Sequence, residues 1–268
     1  MTARRDHPHL LLIFALFAAL SIVWTWPLVR QISSRIAFDP GDPLLNTWIL
    51  WWNSRAIPFT DEWWSPPIFY PMRGALALSE HLAGIGFFTT PLLLLGGTPA
   101  LAYNVALLLS YALSGFFSYL LVRRLTGSTA AALCAGLAYA FAPFRAGQLS
   151  HLQVLTSQWL PLQLLGLHAY VESGRRKWLA VFSVALVLQG LSNGYYLLFA
   201  PVLIALWMAW FTIAPRRWRQ AAEIAAAGAI ASLALLPTVL EYRAVHGALG
   251  LTRGRTEIMQ LMPKRVRS

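Results

Sequence analysis

Uncharged, mainly apolar runs cover residues 10–29, 82–122, 146–171 and 178–215, and each reaches or exceeds the roughly 20 residues that a helix needs to cross a bilayer. Apolar positions fill these runs continuously, with no amphipathic stripe, which is the pattern of helices that lipid or other helices surround on every side. Two of the runs are too long for one crossing. Gly96-Gly97-Thr98-Pro99 divides the second into 82–95 and 100–122, and Gly190-Leu-Ser-Asn-Gly194 divides the last, because glycine and proline break a helical pattern. The pattern therefore predicts an all-α membrane protein of about seven transmembrane helices: 10–29, 100–122, 128–144, 152–171, two within 178–215, and 221–240. Between the first two lies one long hydrophilic stretch, residues 30–81.

Charge fixes the expected threading. Only 12% of the 268 residues are charged and 57% are apolar, against about 25% charged in soluble domains. The net charge of +11 comes from short clusters between the apolar runs: Arg4-Arg5, Arg123-Arg124, Arg175-Arg176-Lys177, and Arg216-Arg217 with Arg219. Clusters in loops are the positive-inside pattern of cytoplasmic segments, not the basic face of a nucleic-acid binder, so nucleic acid is excluded as a partner. Helix 10–29 follows Arg4 and Arg5 and lacks a small-residue cleavage site, so it reads as an uncleaved first helix with a cytoplasmic N-terminus. If both 82–95 and 100–122 crossed, the later basic clusters would all lie outside. Segment 82–95 is therefore expected to re-enter or lie in the interface. The transmembrane domain spans 1–245, and 246–268 forms a basic tail whose ending, Met-Pro-Lys-Arg-Val-Arg-Ser, reads as a truncation. The single cysteine, Cys134, precludes a disulfide framework within the chain.

The outer stretch 30–81 holds five of the ten acidic residues: Asp39, Asp42, Asp61, Glu62 and Glu80. Asp42-Pro43 is a good helix start, an N-cap followed by proline at the first helical position. The helix that follows has Leu44, Leu45, Trp48, Ile49 and Trp52 at helical spacing with Asn46, Asn53 and Ser54 elsewhere, as in a helix lying on a membrane surface.

Asp39-Pro-Gly-Asp42-Pro-Leu-Leu-Asn46-Thr-Trp48-Ile-Leu, Pro67-Ile-Phe-Tyr70-Pro71, Leu78-Ser-Glu80-His81-Leu, Tyr103-Asn104, Ser150-His151-Leu-Gln153 and Gly194-Tyr195-Tyr196 occur in this order. The series resembles bacterial GT-C-fold membrane glycosyltransferases, the polyprenyl-phosphate-sugar-dependent enzymes related to the mannosyltransferases, over about residues 8–245. The chain is shorter than such enzymes, which resembles an N-terminal portion of one. The resemblance implies a bacterial inner-membrane, multi-pass hexosyltransferase. It would move a sugar from a polyprenyl-phosphate donor to an extracytoplasmic acceptor, whether glycan, lipid or protein. An acidic residue of the first outer loop is commonly the base in that family, which points to Asp42, with Asp39 second. A positioned carboxylate accepts the acceptor's proton as its oxygen attacks the anomeric carbon.

Other polar residues at the outer side divide between functional and bland readings. Glu80 and His81 are expected to share a water-filled mouth with Asp42 and His151, as substrate contacts or a divalent-metal site, or else as groups wetted by headgroups. His151 and Gln153 lie at membrane depth, where polar groups face a cavity or bond between helices. Arg73 and Arg145 would meet a lipid phosphate or snorkel to headgroups. Trp63, Trp64, Phe69 and Tyr70 would stack on a sugar or form an aromatic belt. Tyr195 faces the same side. No cofactor is called for by any motif, and no P-loop, His-Glu-x-x-His or Gly-x-Ser-x-Gly motif occurs. The rival readings are a non-catalytic membrane fragment and a lipid or solute transporter, which would place charges at the bilayer midplane.

Overall fold

The computed structural model describes residues 7–37, 39–251 and 254. Arg4 and Arg5 and the tail cations Arg253, Arg255, Lys264, Arg265 and Arg267 fall outside the described residues. Within them the chain is all-helical, with no strands. Its helices are α1 His7–Trp24, α2 Asp42–Asn53, α3 Asp61–Trp64, α4 Ala83–Leu94, α5 Pro99–Thr126, α6 Thr129–Ala140, α7 Pro143–Ala146, α8 Leu152–Leu155, α9 Trp159–Ser173, α10 Lys177–Ser192, α11 Tyr195–Met208, α12 Trp218–Leu233 and α13 Leu236–Ala248.

Helix α5 is the axis of the molecule. Thr98 caps it by accepting from the Leu101 N–H at 3.1 Å, Pro99 occupies its first turn, and Gly127 ends it in the left-handed region at φ +69°. These are the start and stop signals that physical chemistry favours. Against α5 pack α1, α2, α4, α6 and α9. Phe17 of α1, fully buried, plugs the seam between α5 and α6, where a Cβ on Gly115 would lie 2.3 Å from its ring and one on Gly136 2.5 Å from it. Small residues at such seams let helix backbones approach closely where no water drives association. A second layer, α9 against α10 with α12 behind, closes around Leu167, Tyr170, Phe182 and Ile224.

Three helices are long and apolar enough to cross a membrane, Pro99–Thr126, Thr129–Ala146 and Tyr195–Ile213, and the bent pair α12 and α13 makes a fourth if taken as one span. Several expected helices break. Residues 152–158 do not extend α9 backwards; Leu152–Leu155 is a separate turn, so that helix begins only at Trp159. The expected crossing at 221–240 bends by 53° between Leu233 and Leu236. Pro237 sits in the first turn of α13, and its ring cannot continue the ladder of α12. Segment 82–95 forms the helix α4, whose 12 residues reach only about 18 Å. Large apolar side chains such as Leu11, Val23, Leu94, Leu95, Trp210 and Ile230 remain exposed, a surface compatible with a lipid environment.

The outer stretch is folded, not a loose loop. Trp63 and Trp64 are core residues, stacked edge-on at 4.6 Å, and neither belongs to an aromatic belt; Phe69 and Tyr70 are the exposed pair. The face of α2 also differs from the surface-helix expectation. Asn46, Ile49, Leu50 and Asn53 point inward while Leu44 is exposed, because the two asparagines find hydrogen-bond partners inside the fold.

Candidate functional site

Gly41, not Asp42, occupies the N-cap position of α2, and no side chain caps the helix there. Asp42 is the first helical residue, with its carboxylate free of any capping role and set where the helix dipole complements a negative charge. His151 reaches it: Nε2 lies 3.4 Å from Asp42 Oδ2, with both side chains about half exposed. His151 Nδ1 is 3.3 Å from the Ser150 hydroxyl. One turn deeper, Asn46 Nδ2 donates to Gln153 Oε1 at 2.9 Å, a bond between segments 107 positions apart that clamps α2 to the 150–155 turn. Asp39 is already committed, since its Oδ1 accepts from the Gly41 N–H at 2.8 Å. Tyr103, at the top of α5, lies within electrostatic reach of both aspartates. Its fully buried hydroxyl has no partner among the described residues.

Arg145 does not open onto this mouth. It is buried beneath it, 5% exposed, donating to Ser157 Oγ at 2.7 Å and lying 4.9 Å over the Tyr111 ring. No ion pair joins it to a carboxylate among the described residues.

Glu80 is not across the mouth from Asp42. It sits by the other end of α2, where Asn53 Nδ2 donates to the His81 carbonyl at 2.9 Å, and the eleven-residue separation of Asp42 and Asn53 amounts to about 16 Å along the axis. There Glu80 Oε2 accepts from the Gly194 N–H at 2.9 Å. Burial pushes its carboxyl above the ordinary value, against the opposing effect of that hydrogen bond. His81 is structural: Nδ1 accepts from the Ala83 N–H at 3.0 Å, closing the start of α4, and Trp63, Trp64, Phe59 and Tyr242 surround the ring. Desolvation lowers its pKa to about 4, so it is neutral at physiological pH. The expected single mouth is thus two sites. The physical reason is that α2 lies between them as a rigid spacer.

Arg73 belongs to neither. It is exposed beside a cavity of about 670 Å³ whose walls include Asp61, Glu62 and Glu241. Tyr195 is exposed at the start of α11, where Asn193 Oδ1 accepts its backbone N–H at 2.7 Å. Among the described residues no group of three or more His, Cys, Asp or Glu could hold a metal ion. Sequence reasoning placed Asn46 on the wrong face. Asn46 did lie inside a recognisable series, but its partner Gln153 could be paired with it only in three dimensions.

A family model described as Domain of unknown function (DUF6311) matches residues 87–259. That range includes Arg145, His151, Gln153 and Tyr195, while Asp39, Asp42, Arg73, Glu80 and His81 precede it. No curated protein matches the chain, and neither does any solved structure. Because the matched range covers more than half of the 268 residues, the chain belongs to the DUF6311 family.

Proposed function

We propose that this protein is a GT-C-like membrane glycosyltransferase acting outside the cytoplasm, with a polyprenyl-phosphate-linked sugar as donor. The observation that carries this reading is the Asp42–His151 contact at 3.4 Å, a half-exposed carboxylate and imidazole brought together from segments more than 100 residues apart. In the step proposed, Asp42 takes the proton of an acceptor hydroxyl as that oxygen bonds to the anomeric carbon. The bond from that carbon to the lipid phosphate breaks, and its electron pair leaves on the phosphate oxygen. A positioned base contributes about 10²–10⁴-fold. His151 is a positioning residue that orients the carboxylate from one side, while Asn46 and Gln153 hold the two segments in register.

Asp39 takes second place as base, since one of its oxygens is spent on the turn. Arg145, six positions before His151 and without a carboxylate partner among the described residues, supplies positive field near a departing phosphate. The threading that goes with this reading has seven crossings, α4 re-entrant, the N-terminus cytoplasmic and the protein in a bacterial inner membrane. Support comes from the count of basic residues, eight in the loops after α5, α9 and α11 against four, Arg30, Arg35, Arg55 and Arg73, in the 30–81 stretch.

The test is transfer from radiolabelled polyprenyl-phosphate hexoses in membranes holding the protein. Asp42→Asn, which keeps shape and removes the basic oxygen, is expected to lower the rate by about a hundredfold, and His151→Ala by less. An unchanged rate in Asp42→Asn, or no transfer by the unaltered protein from any such donor, overturns the reading.

A further inference from the structure

Where the chain leaves α1 it forms a cavity before it reaches α2. Thr25 continues the last turn of α1, its N–H donating to the Ser21 carbonyl at 3.1 Å, and Leu28–Gln31 makes one 3₁₀ turn. Arg35 lies one turn further, its N–H donating to the Gln31 carbonyl at 3.0 Å. The cavity has a volume of about 340 Å³, and its walls include Thr25, Leu28, Gln31, Arg35, Ile36 and Ala37. Helix α5 holds this segment in place. Asn104, fully buried, donates to the Ile32 carbonyl at 2.8 Å and to the Arg35 carbonyl at 2.6 Å, and Thr98 donates to the Ser33 carbonyl at 2.6 Å.

Charge narrows what fits. The guanidinium of Arg35 is the cation of the lining, and no carboxylate lines the cavity with it. Arg35 is exposed and makes no ion pair among the described residues. Asp39, four positions on, spends an oxygen on the Gly41 N–H, and Arg30 lies 5.6 Å over the Trp26 ring. Gln31, a helical turn before Arg35, sets a carboxamide donor beside the guanidinium. The Thr25 hydroxyl donates to the Ser21 carbonyl at 2.8 Å, so the donors left for a ligand are Arg35 and Gln31. A planar guanidinium with a second N–H donor beside it matches the oxygens of a phosphate.

The rest of the wall is apolar, and an apolar strip leads to it. Leu11, Ala18 and Ile22 recur at the spacing that puts them on the side of α1 that Thr25 continues. Leu11 is exposed and the other two are partly so. A free cation at the head of an exposed apolar strip suits an amphiphile, with an anionic head and hydrocarbon below it.

We propose that this cavity binds the phosphate group of a membrane lipid, with Arg35 and Gln31 donating to its oxygens and the lipid chains lying along Leu11, Ala18 and Ile22. The site is separate from Asp42 and does not rest on the transferase reading.

The experiment titrates the full chain, in neutral detergent micelles, with phosphatidic acid carrying a fluorophore on one acyl chain, and reads anisotropy. Saturable binding is expected. Arg35→Gln should weaken it about tenfold, and Ala37→Phe, which fills the cavity, should abolish it, with helical circular dichroism unchanged in both. Arg55→Gln, which removes a cation elsewhere in the 30–81 stretch, and Asp42→Asn should bind as the unaltered protein does. Diacylglycerol with the same fluorophore should not bind, and millimolar inorganic phosphate should not displace the lipid. Four results would each overturn the proposal. They are equal binding by diacylglycerol, displacement by inorganic phosphate, indifference to both Arg35→Gln and Ala37→Phe, and a loss in Arg55→Gln as large as in Arg35→Gln, which would mean general attraction to a basic protein.

Discussion

Glu80 and His81, neighbours in the chain, have their protonation shifted in opposite senses by one cause. Burial disfavours the charged form of each, which raises the carboxyl and lowers the imidazole to about 4. For His81 the unfolded chain binds a proton below about pH 6.5 that the folded chain refuses until about pH 4. Its contribution is therefore complete above pH 6.5 and is lost as pH falls towards 4, by roughly 3 kcal/mol in all. Glu80 acts in the opposite direction above its ordinary value, so the two must be separated by substitution. Thermal melting of the protein against His81→Gln between pH 7 and pH 4 should show a steeper acid loss in the unaltered protein. Parallel curves would mean that the fold does not lower the His81 pKa.

Among the elements, the seam of α1, α5 and α6 depends on the absence of side chains at Gly115 and Gly136. Phe17 fills that space with no exposed surface. Gly115→Ala would set a methyl 2.3 Å from the Phe17 ring, and overpacking of this kind costs typically 1–3 kcal/mol. The expected result is a lower melting temperature in detergent, partly restored by adding Phe17→Leu, since the larger ring is the group that clashes. Additive losses in the double variant would show that the two residues do not share one space. The same reasoning explains Gly84, where a Cβ would meet the Leu188 carbonyl at 2.6 Å: α4 lies close against α10 through this glycine.

For the whole molecule the basic loop clusters lie together at one end, whereas the 30–81 stretch mixes Arg30, Arg35, Arg55 and Arg73 with its five acidic residues. Arg124 pairs with Glu172 at 2.6 Å and lies 5.6 Å over Trp178, while Gln220 donates to the Val171 carbonyl at 3.0 Å. These contacts bring the loops after α5, α9 and α11 to one end, with Arg123, Arg124, Arg175, Arg176, Lys177, Arg216, Arg217 and Arg219 against Glu172 and Glu223. At the opposite end Thr98 and Asn104 of α5 hold the 32–35 segment, with Thr98 donating to the Ser33 carbonyl at 2.6 Å and Asn104 to the Ile32 carbonyl at 2.8 Å. If the basic end is cytoplasmic, an impermeant thiol reagent on intact cells should label Glu62→Cys and spare Arg175→Cys, both in a Cys134→Ala background. Labelling of both, or of Arg175→Cys alone, would reverse or dissolve the assigned sidedness.

Apolar runs, their glycine and proline breaks and the basic clusters depend on local composition, and they suffice for the all-α class, a helix over most of α5, the α10–α11 break within 190–194 and the distinct character of the 30–81 stretch. The sequence also marks Asp42 and His151 as candidates. Which candidates meet depends on packing in three dimensions. Asp42 with His151 and Asn46 with Gln153 pair across more than 100 residues, whereas Glu80 and Asp42, much nearer in the chain, are kept apart by the length of α2. Burial, too, was settled only there: Trp63, Trp64 and Arg145 could have faced lipid, headgroups or solvent, and packing put all three inside. Periodicity reports what a segment can bury on its own, and long-range contact is a property of how segments are arranged, which no local pattern encodes.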